Sequence, residues 1–190
     1  TPQITVEAAS GTFTFSGSIT GPVLYLKQGN HTQVFTSPQS YTRSTIVRDG
    51  VLRLSGAGSL PNNSGVDVRA GATWDLNGNN DQVSYVRDDP GFAGGSVLLG
   101  GATLTVDNSG TFSRTFSGVI SEAGNVVKAR GFTWSLTGNN TYTGTTTISD
   151  GVLRIDGNDN LGNGGLIFDN GTLDIDGSFL NTRSITINSG

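Results

Sequence analysis

Apolar and polar positions alternate along much of the chain with a period of two, and glycine-bearing turns break the alternation every few residues. In Val152-Leu153-Arg154-Ile155, Leu153 and Ile155 fall on one side of an extended backbone and Arg154 on the other. Trp74-Asp75-Leu76-Asn77 and Leu173-Asp174-Ile175-Asp176 read the same way, with an apolar pair on one side and an acid or amide pair opposite. The pattern predicts short β-strands ended by Asp-Gly, Asn-Gly and Gly-Gly turns. The density of Thr, Val, Ile, Gly and Asn argues against helices.

These strands keep time. Ile148 to Ile167 is 19 residues, Ile167 to Ile185 is 18, and Leu153 to Leu173 is 20. Short strands at this spacing are how successive turns of a β-solenoid read. A sandwich or barrel would also alternate, but it needs no sequence beat, and here corresponding strands carry like residues. The alternation assigns Leu54, Trp74, Leu76, Leu104, Val106, Trp134, Leu136, Leu153, Ile155, Leu173 and Ile175 to a narrow interior. It assigns Asp75, Arg154, Asp174 and Asp176 to solvent. The expected architecture is all-β, a solenoid of roughly 8–9 coils and about 40 Å in length.

A longer repeat lies over the short one. "YTRSTIVRDGVLRLSG" from Tyr41 matches "YTGTTTISDGVLRIDG" from Tyr142, a displacement of 101 residues. The same displacement carries Phe15-Ser16-Gly17 onto Phe116-Ser117-Gly118, and Lys27 onto Lys128. The two lysines of the protein therefore share one repeat position. The chain reads as one segment made of two degenerate copies, about 10–107 and 108–190.

The stretch "FSGVISEAGNVVKARGFTWSLTGNNTYTGTTTISDGVLRI" resembles the passenger-associated repeat of type V autotransporters, most specifically at Asn140-Thr141-Tyr142-Thr143-Gly144. Two departures stand out: Ala129-Arg130-Gly131-Phe132 replaces the usual Gly-rich approach to a strand, and Pro22 precedes Val23 in the first copy. The resemblance implies a right-handed parallel β-helix in the secreted part of a bacterial surface protein, located outside the cell. It also implies a stalk or adhesin role, with a host or cell-surface protein or glycan as partner. No signal peptide, effector domain or membrane barrel is read in these residues, and the chain looks like a segment of something longer.

Composition narrows the function classes. There are 29 Gly, no Cys, 34% apolar and 14% charged residues, which suits a thin core with many turns. Regular alternation separates such a chain from a disordered one. A net charge of −4 with nine scattered arginines supplies no basic stripe for a nucleic acid. No apolar run reaches membrane-spanning length, so this segment is not expected to insert directly. Without cysteine there is neither a disulfide scaffold nor a thiolate metal site.

Candidate chemistry is sparse. His31 is the single histidine and has Phe132 as its repeat counterpart, so it reads as structural. Asp88-Asp89 before Pro90 reads as a turn, and the pair Asp174 and Asp176 shares an outward face with no burial to hold one carboxyl protonated. The loop Asp156–Gly165 has oxygen side chains but lacks the Gly and Glu that a helix-loop-helix calcium site places at its sixth and twelfth positions. Asn62-Asn63, Asn79-Asn80 and Asn139-Asn140 read as amide ladders or as turn residues. No catalytic, cofactor-binding or metal-binding residue is assigned, and the expected role is non-catalytic. Two other roles compete with it. One is a fibre subunit associating through solenoid ends, since no capping helix is read at Thr1–Ser10 or after Ser184; the other is a polysaccharide-acting β-helix enzyme.

Overall fold

The computed structural model describes residues 2–178 and 182–188. The chain winds in about nine turns, each laid on the one before. The first coil holds β1 (Gln3–Glu7), β2 (Thr12–Phe15) and β3 (Thr20–Gly21). The second holds β4 (Leu24–Gln28), β5 (Thr32–Phe35) and β6 (Ser40–Tyr41), and the third β7 (Thr45–Val47) and β8 (Val51–Leu54). β9 (Gly65–Val68), β10 (Thr73–Asp75) and β11 (Asp81–Val83) form the fourth, then β12 (Tyr85–Asp88), β13 (Ser96–Leu98) and β14 (Thr103–Asp107) the fifth. The sixth is β15 (Ser113–Phe116), β16 (Val119–Ser121) and β17 (Asn125–Ala129). The last three are pairs: β18 (Thr133–Leu136) with β19 (Thr146–Ile148), β20 (Val152–Gly157) with β21 (Leu166–Phe168), and β22 (Thr172–Ser178) with β23 (Ile185–Ile187).

Every strand pair is parallel, and three faces result. The first face runs β1-β4-β7-β9-β12 and resumes as a separate sheet, β15-β18-β20-β22, with β15 packed against β12. At this seam the Trp134 indole N–H donates to the Val86 carbonyl at 2.9 Å. The second face is β2-β5-β8-β10-β13-β16, and the third is β3-β6 followed by β11-β14-β17-β19-β21-β23.

Register explains the core. Trp134 lies beside Leu153, which lies beside Leu173; one position pair along, Leu136, Ile155 and Ile175 line up in the same way. The expected interior residues from Leu54 to Ile155 are all at most 1% exposed. Fully burying each such side chain is worth about 1.5–3 kcal/mol. Leu173 is only half-buried and Ile175 is 38% exposed, because no described strand lies beyond β22 on that face. Asp75 also departs from expectation. It is on the outward side but only 6% exposed, since Arg53 of the coil below folds over it, with Nε 2.7 Å from the carboxylate.

Residues 101 apart do the same work. Lys27 and Lys128 are both fully buried. Lys27 Nζ donates to the carbonyls of Gly29 (2.7 Å) and Asp49 (2.8 Å), and Lys128 Nζ to those of Arg130 (2.6 Å) and Asp150 (2.9 Å). Desolvation pulls each amine down to about 8, opposed by the nearby Asp49 or Asp150 charge. The Arg130 departure is thereby explained: it takes the left-handed conformation (φ 59) that Gly29 takes (φ 78), aiming its carbonyl at Lys128. A side chain there costs about 1 kcal/mol. Tyr41 meets Thr45 at 2.5 Å, as Tyr142 meets Thr146 at 2.6 Å.

The copies do not face the same way. β4 is the first strand of the second coil and β17 the third strand of the sixth, so 101 residues cover four coils and two faces of another. Coils also approach closely at two glycine columns. A methyl group on Gly138 would sit 1.8 Å from the Gly118 carbonyl oxygen, and one on Gly164 would sit 1.9 Å from that of Gly144.

Candidate functional site

The third face is interrupted at the third coil. Pro61 has no N–H to give a ladder, and the chain turns instead, with Ser64 N–H donating to the Pro61 carbonyl at 2.9 Å. β11 therefore begins a new sheet above an irregular segment, and a groove of about 500 Å³ opens in front of it. Ser59 and Asn62 line it from the third coil, Asn80, Asp81 and Gln82 from the fourth, and Thr103 and Thr105 from the fifth.

Asp81 sits at the back. Two positions from Val83 on the same strand, it points inward with Val83 and is 5% exposed. Its Oδ2 accepts the Leu60 N–H and its Oδ1 the Gln82 N–H, both at 3.0 Å. The carboxylate thus does for the irregular coil what a strand carbonyl would have done. Burial pushes its pKa up to about 7 against those two donors.

The groove wall is tied across coils. Thr103 N–H donates to Asn80 Oδ1 (2.8 Å), Asn125 Nδ2 to Thr103 Oγ1 (3.3 Å), and Thr145 N–H to Asn125 Oδ1 (2.9 Å). Gln82 Nε2 donates to Asp107 (2.9 Å), whose other oxygen lies 2.6 Å from Arg130 Nε. Asn80 braces the next coil through a backbone N–H, not through a stacked amide. Asn140 is neither ladder nor left-handed turn but a buried clamp: its Oδ1 accepts the Ile120 N–H at 2.7 Å. Ser59, Asn62 and Thr105 make no side-chain hydrogen bond among the described residues, which leaves their hydroxyls and amide to the groove.

A second surface covers the first face. Arg87 grips Asp67 with two hydrogen bonds of 2.7 and 2.8 Å, and Arg69 Nη2 reaches Asp89 at 2.9 Å. Arg69 lies 3.5 Å above the Phe92 ring, and Tyr85 sits between Arg87 and Arg114 at 5.1 and 5.0 Å. Here most charges neutralise one another.

The other candidate residues are dispersed. His31 is buried, with Nδ1 3.2 Å from both the amide nitrogen and carbonyl oxygen of Ala8. Desolvation, then the Lys27 charge, holds its pKa below the ordinary value. Asp88 accepts the Ser117 N–H at 2.8 Å, Asp89 pairs with Arg69, and Asp174 lies 2.8 Å from Arg154 Nε. The loop after Asp156 is partly buried. Asn158–Asn160 forms a 3-10 turn in which buried Asn160 accepts the N–H groups of Asp156 (3.0 Å) and Gly157 (2.8 Å). Sequence reading missed Asp81 and the groove. The one signal available was the Asp81-x-Val83 alternation, overshadowed by an Asn-rich stretch that reads as loop.

The Tyr–Thr contacts and the strand that follows each of them recur 101 residues apart, and a known repeat matches both places. The family described as passenger-associated-transport-repeat matches residues 26–54 and 133–155. The chain carries the passenger repeat of autotransporters. Both matches end on residues 101 apart, Leu54 and Ile155. The passenger segment is also 38% identical over 156 residues to the adhesin BmaC autotransporter of Brucella suis biovar 1 (strain 1330). That alignment covers 81% of this chain and 4% of the adhesin. No solved structure matches the chain significantly. Autotransporter passengers of this kind are displayed at the bacterial cell surface.

Proposed function

We propose that this passenger segment is a non-catalytic structural and binding section of a surface-displayed adhesin, built from two degenerate copies spanning about 10–107 and 108–190. The observation that carries the reading is the parallel stacking of successive coils, in which each coil supplies a template for the next and lines up matching side chains such as Trp134, Leu153 and Leu173. A chain of this kind can fold one coil at a time, with no disulfide to complete it. Three of the four acids read as candidates are engaged in structure: Asp88 on a backbone N–H, Asp89 on Arg69, Asp174 on Arg154. The name of the Brucella relative supports attachment to host or surface targets as the role of the whole protein.

The test is surface display of the full-length protein carrying Leu153→Asp. A charge in the column should slow refolding and lower the rate at which the passenger appears outside the cell. Normal display kinetics in a variant shown to refold slowly would overturn the structural part of the reading.

A further inference from the structure

We propose that the groove in front of β11 is a binding site for an extended, uncharged glycan lying along the solenoid axis. The inference deepens the binding role proposed above and rests on it. Three features of the groove point to polyhydroxyl recognition. Its lining is made of amides and hydroxyls, which both donate and accept, with one buried carboxylate acceptor at the back. Ser59, Asn62 and Thr105 have no internal side-chain partner, while Asn80, Gln82 and Thr103 are held in place by bonds to neighbouring coils, so the site is organised before a ligand arrives. The concavity also continues along the rod. Asn62 also lines a smaller cleft that reaches back to Ser40 and Thr42 of the second coil. Four coils are crossed, a length of about 14 Å at the spacing of stacked strands, which suits a chain of several sugars rather than a single small molecule.

The same features disfavour other ligands. An anion would meet the Asp81 carboxylate with no arginine in the main groove to offset it. A peptide would need apolar pockets or an open strand edge. Here the lining side chains are polar, the Leu60 N–H beside β11 is taken by the Asp81 carboxylate, and just past the strand the Ser84 N–H is taken by the Ser64 carbonyl.

The experiment uses the isotopically labelled 190-residue chain, titrated by NMR with maltohexaose, cellohexaose, laminarihexaose and mannohexaose, and with a heparin hexasaccharide as the anionic comparison. At least one neutral hexasaccharide should bind saturably, with shift changes concentrated at the amides of Ser59, Asn62, Asn80–Gln82 and Thr103–Thr105. The double variant Asn62→Ala, Thr105→Ala removes no internal bond, so it should unfold like the parent and bind at least tenfold more weakly. Failure of all four neutral sugars to bind, shifts centred instead on Arg69 and Phe92, or a preference for the heparin fragment would each overturn the proposal. The same double variant, placed in the full-length protein, should be displayed normally. Lost glycan binding is thus separable from failure of the structural role, which the Leu153→Asp experiment addresses.

Discussion

Gln39 and Asn140 stand 101 residues apart and hold the same bond: each side-chain oxygen accepts the backbone N–H of an isoleucine on a neighbouring coil, Ile19 at 2.9 Å and Ile120 at 2.7 Å. The repeat thus keeps a carbonyl-type acceptor at a corner where the strand ladder is missing, and one methylene more or less is tolerated. Gln39 uses its amide nitrogen on the Gly17 and Ser37 carbonyls, whereas Asn140 donates upward to Asn160.

Replacing Asn140 with Leu should strand a buried N–H and a buried carbonyl. The expected cost is about 2–6 kcal/mol, from about 1–3 kcal/mol for each of the two unsatisfied groups. Urea denaturation followed by circular dichroism measures it. A midpoint equal to that of the parent would show that water replaces the amide freely.

Position in the column should set the cost of losing a leucine. Leu153 is enclosed between Trp134 and Leu173, so Leu153→Ala should destabilise by about 3 kcal/mol. Leu173 is half-buried in the last described coil, and Leu173→Ala should cost less than half as much. Equal shifts in the two unfolding curves would contradict the enclosure seen for Leu153.

The glycine columns yield a contrasting pair. Gly138→Ala drives a methyl group into the Gly118 carbonyl oxygen, and should destabilise by about 3 kcal/mol or more, in the range of overpacked cores. Gly131 has open space where a methyl would go and no left-handed backbone requirement. Gly131→Ala should be neutral or stabilising by about 0.4–1 kcal/mol. Thermal melts of the two variants decide it.

Asp81 should leave a signature in the pH dependence of stability. Its pKa rises from 3.8 to about 7 on folding, so the folded state takes up a proton in that interval. The stability contributed by the neutral acid is fully present below about pH 4 and lost as pH rises through about 7. The difference in urea midpoint between the parent and Asp81→Asn should therefore fall steadily from pH 4 to pH 8. A difference that is flat with pH would mean that Asp81 ionises as freely in the folded chain as in the unfolded one.

The coil, its beat and most of its interior were legible in the sequence, because alternation reports which side of a strand a residue takes and the 18–20-residue spacing reports which residues stack. Alternation does not report what covers a side. Asp75 reads as solvent-facing and is on the outer side, yet Arg53 lies across it. Nor does residue type separate roles that share a chemistry. Asn80 and Asn140 sit in identical Asn-Asn doublets, but one braces an outer wall and the other satisfies a buried corner. The groove escaped notice for a related reason: it is made by what the third coil lacks, a strand at Pro61, and by an acid that turns inward to compensate.

The fractional winding of the repeat has a geometric outcome. Because 101 residues stop two faces into a further coil, Lys27 belongs to the first face and Lys128 to the third. Tandem copies with this offset point their equivalent outer surfaces along different compass bearings of the rod. The two copies therefore turn the same motif toward two different sides of the rod.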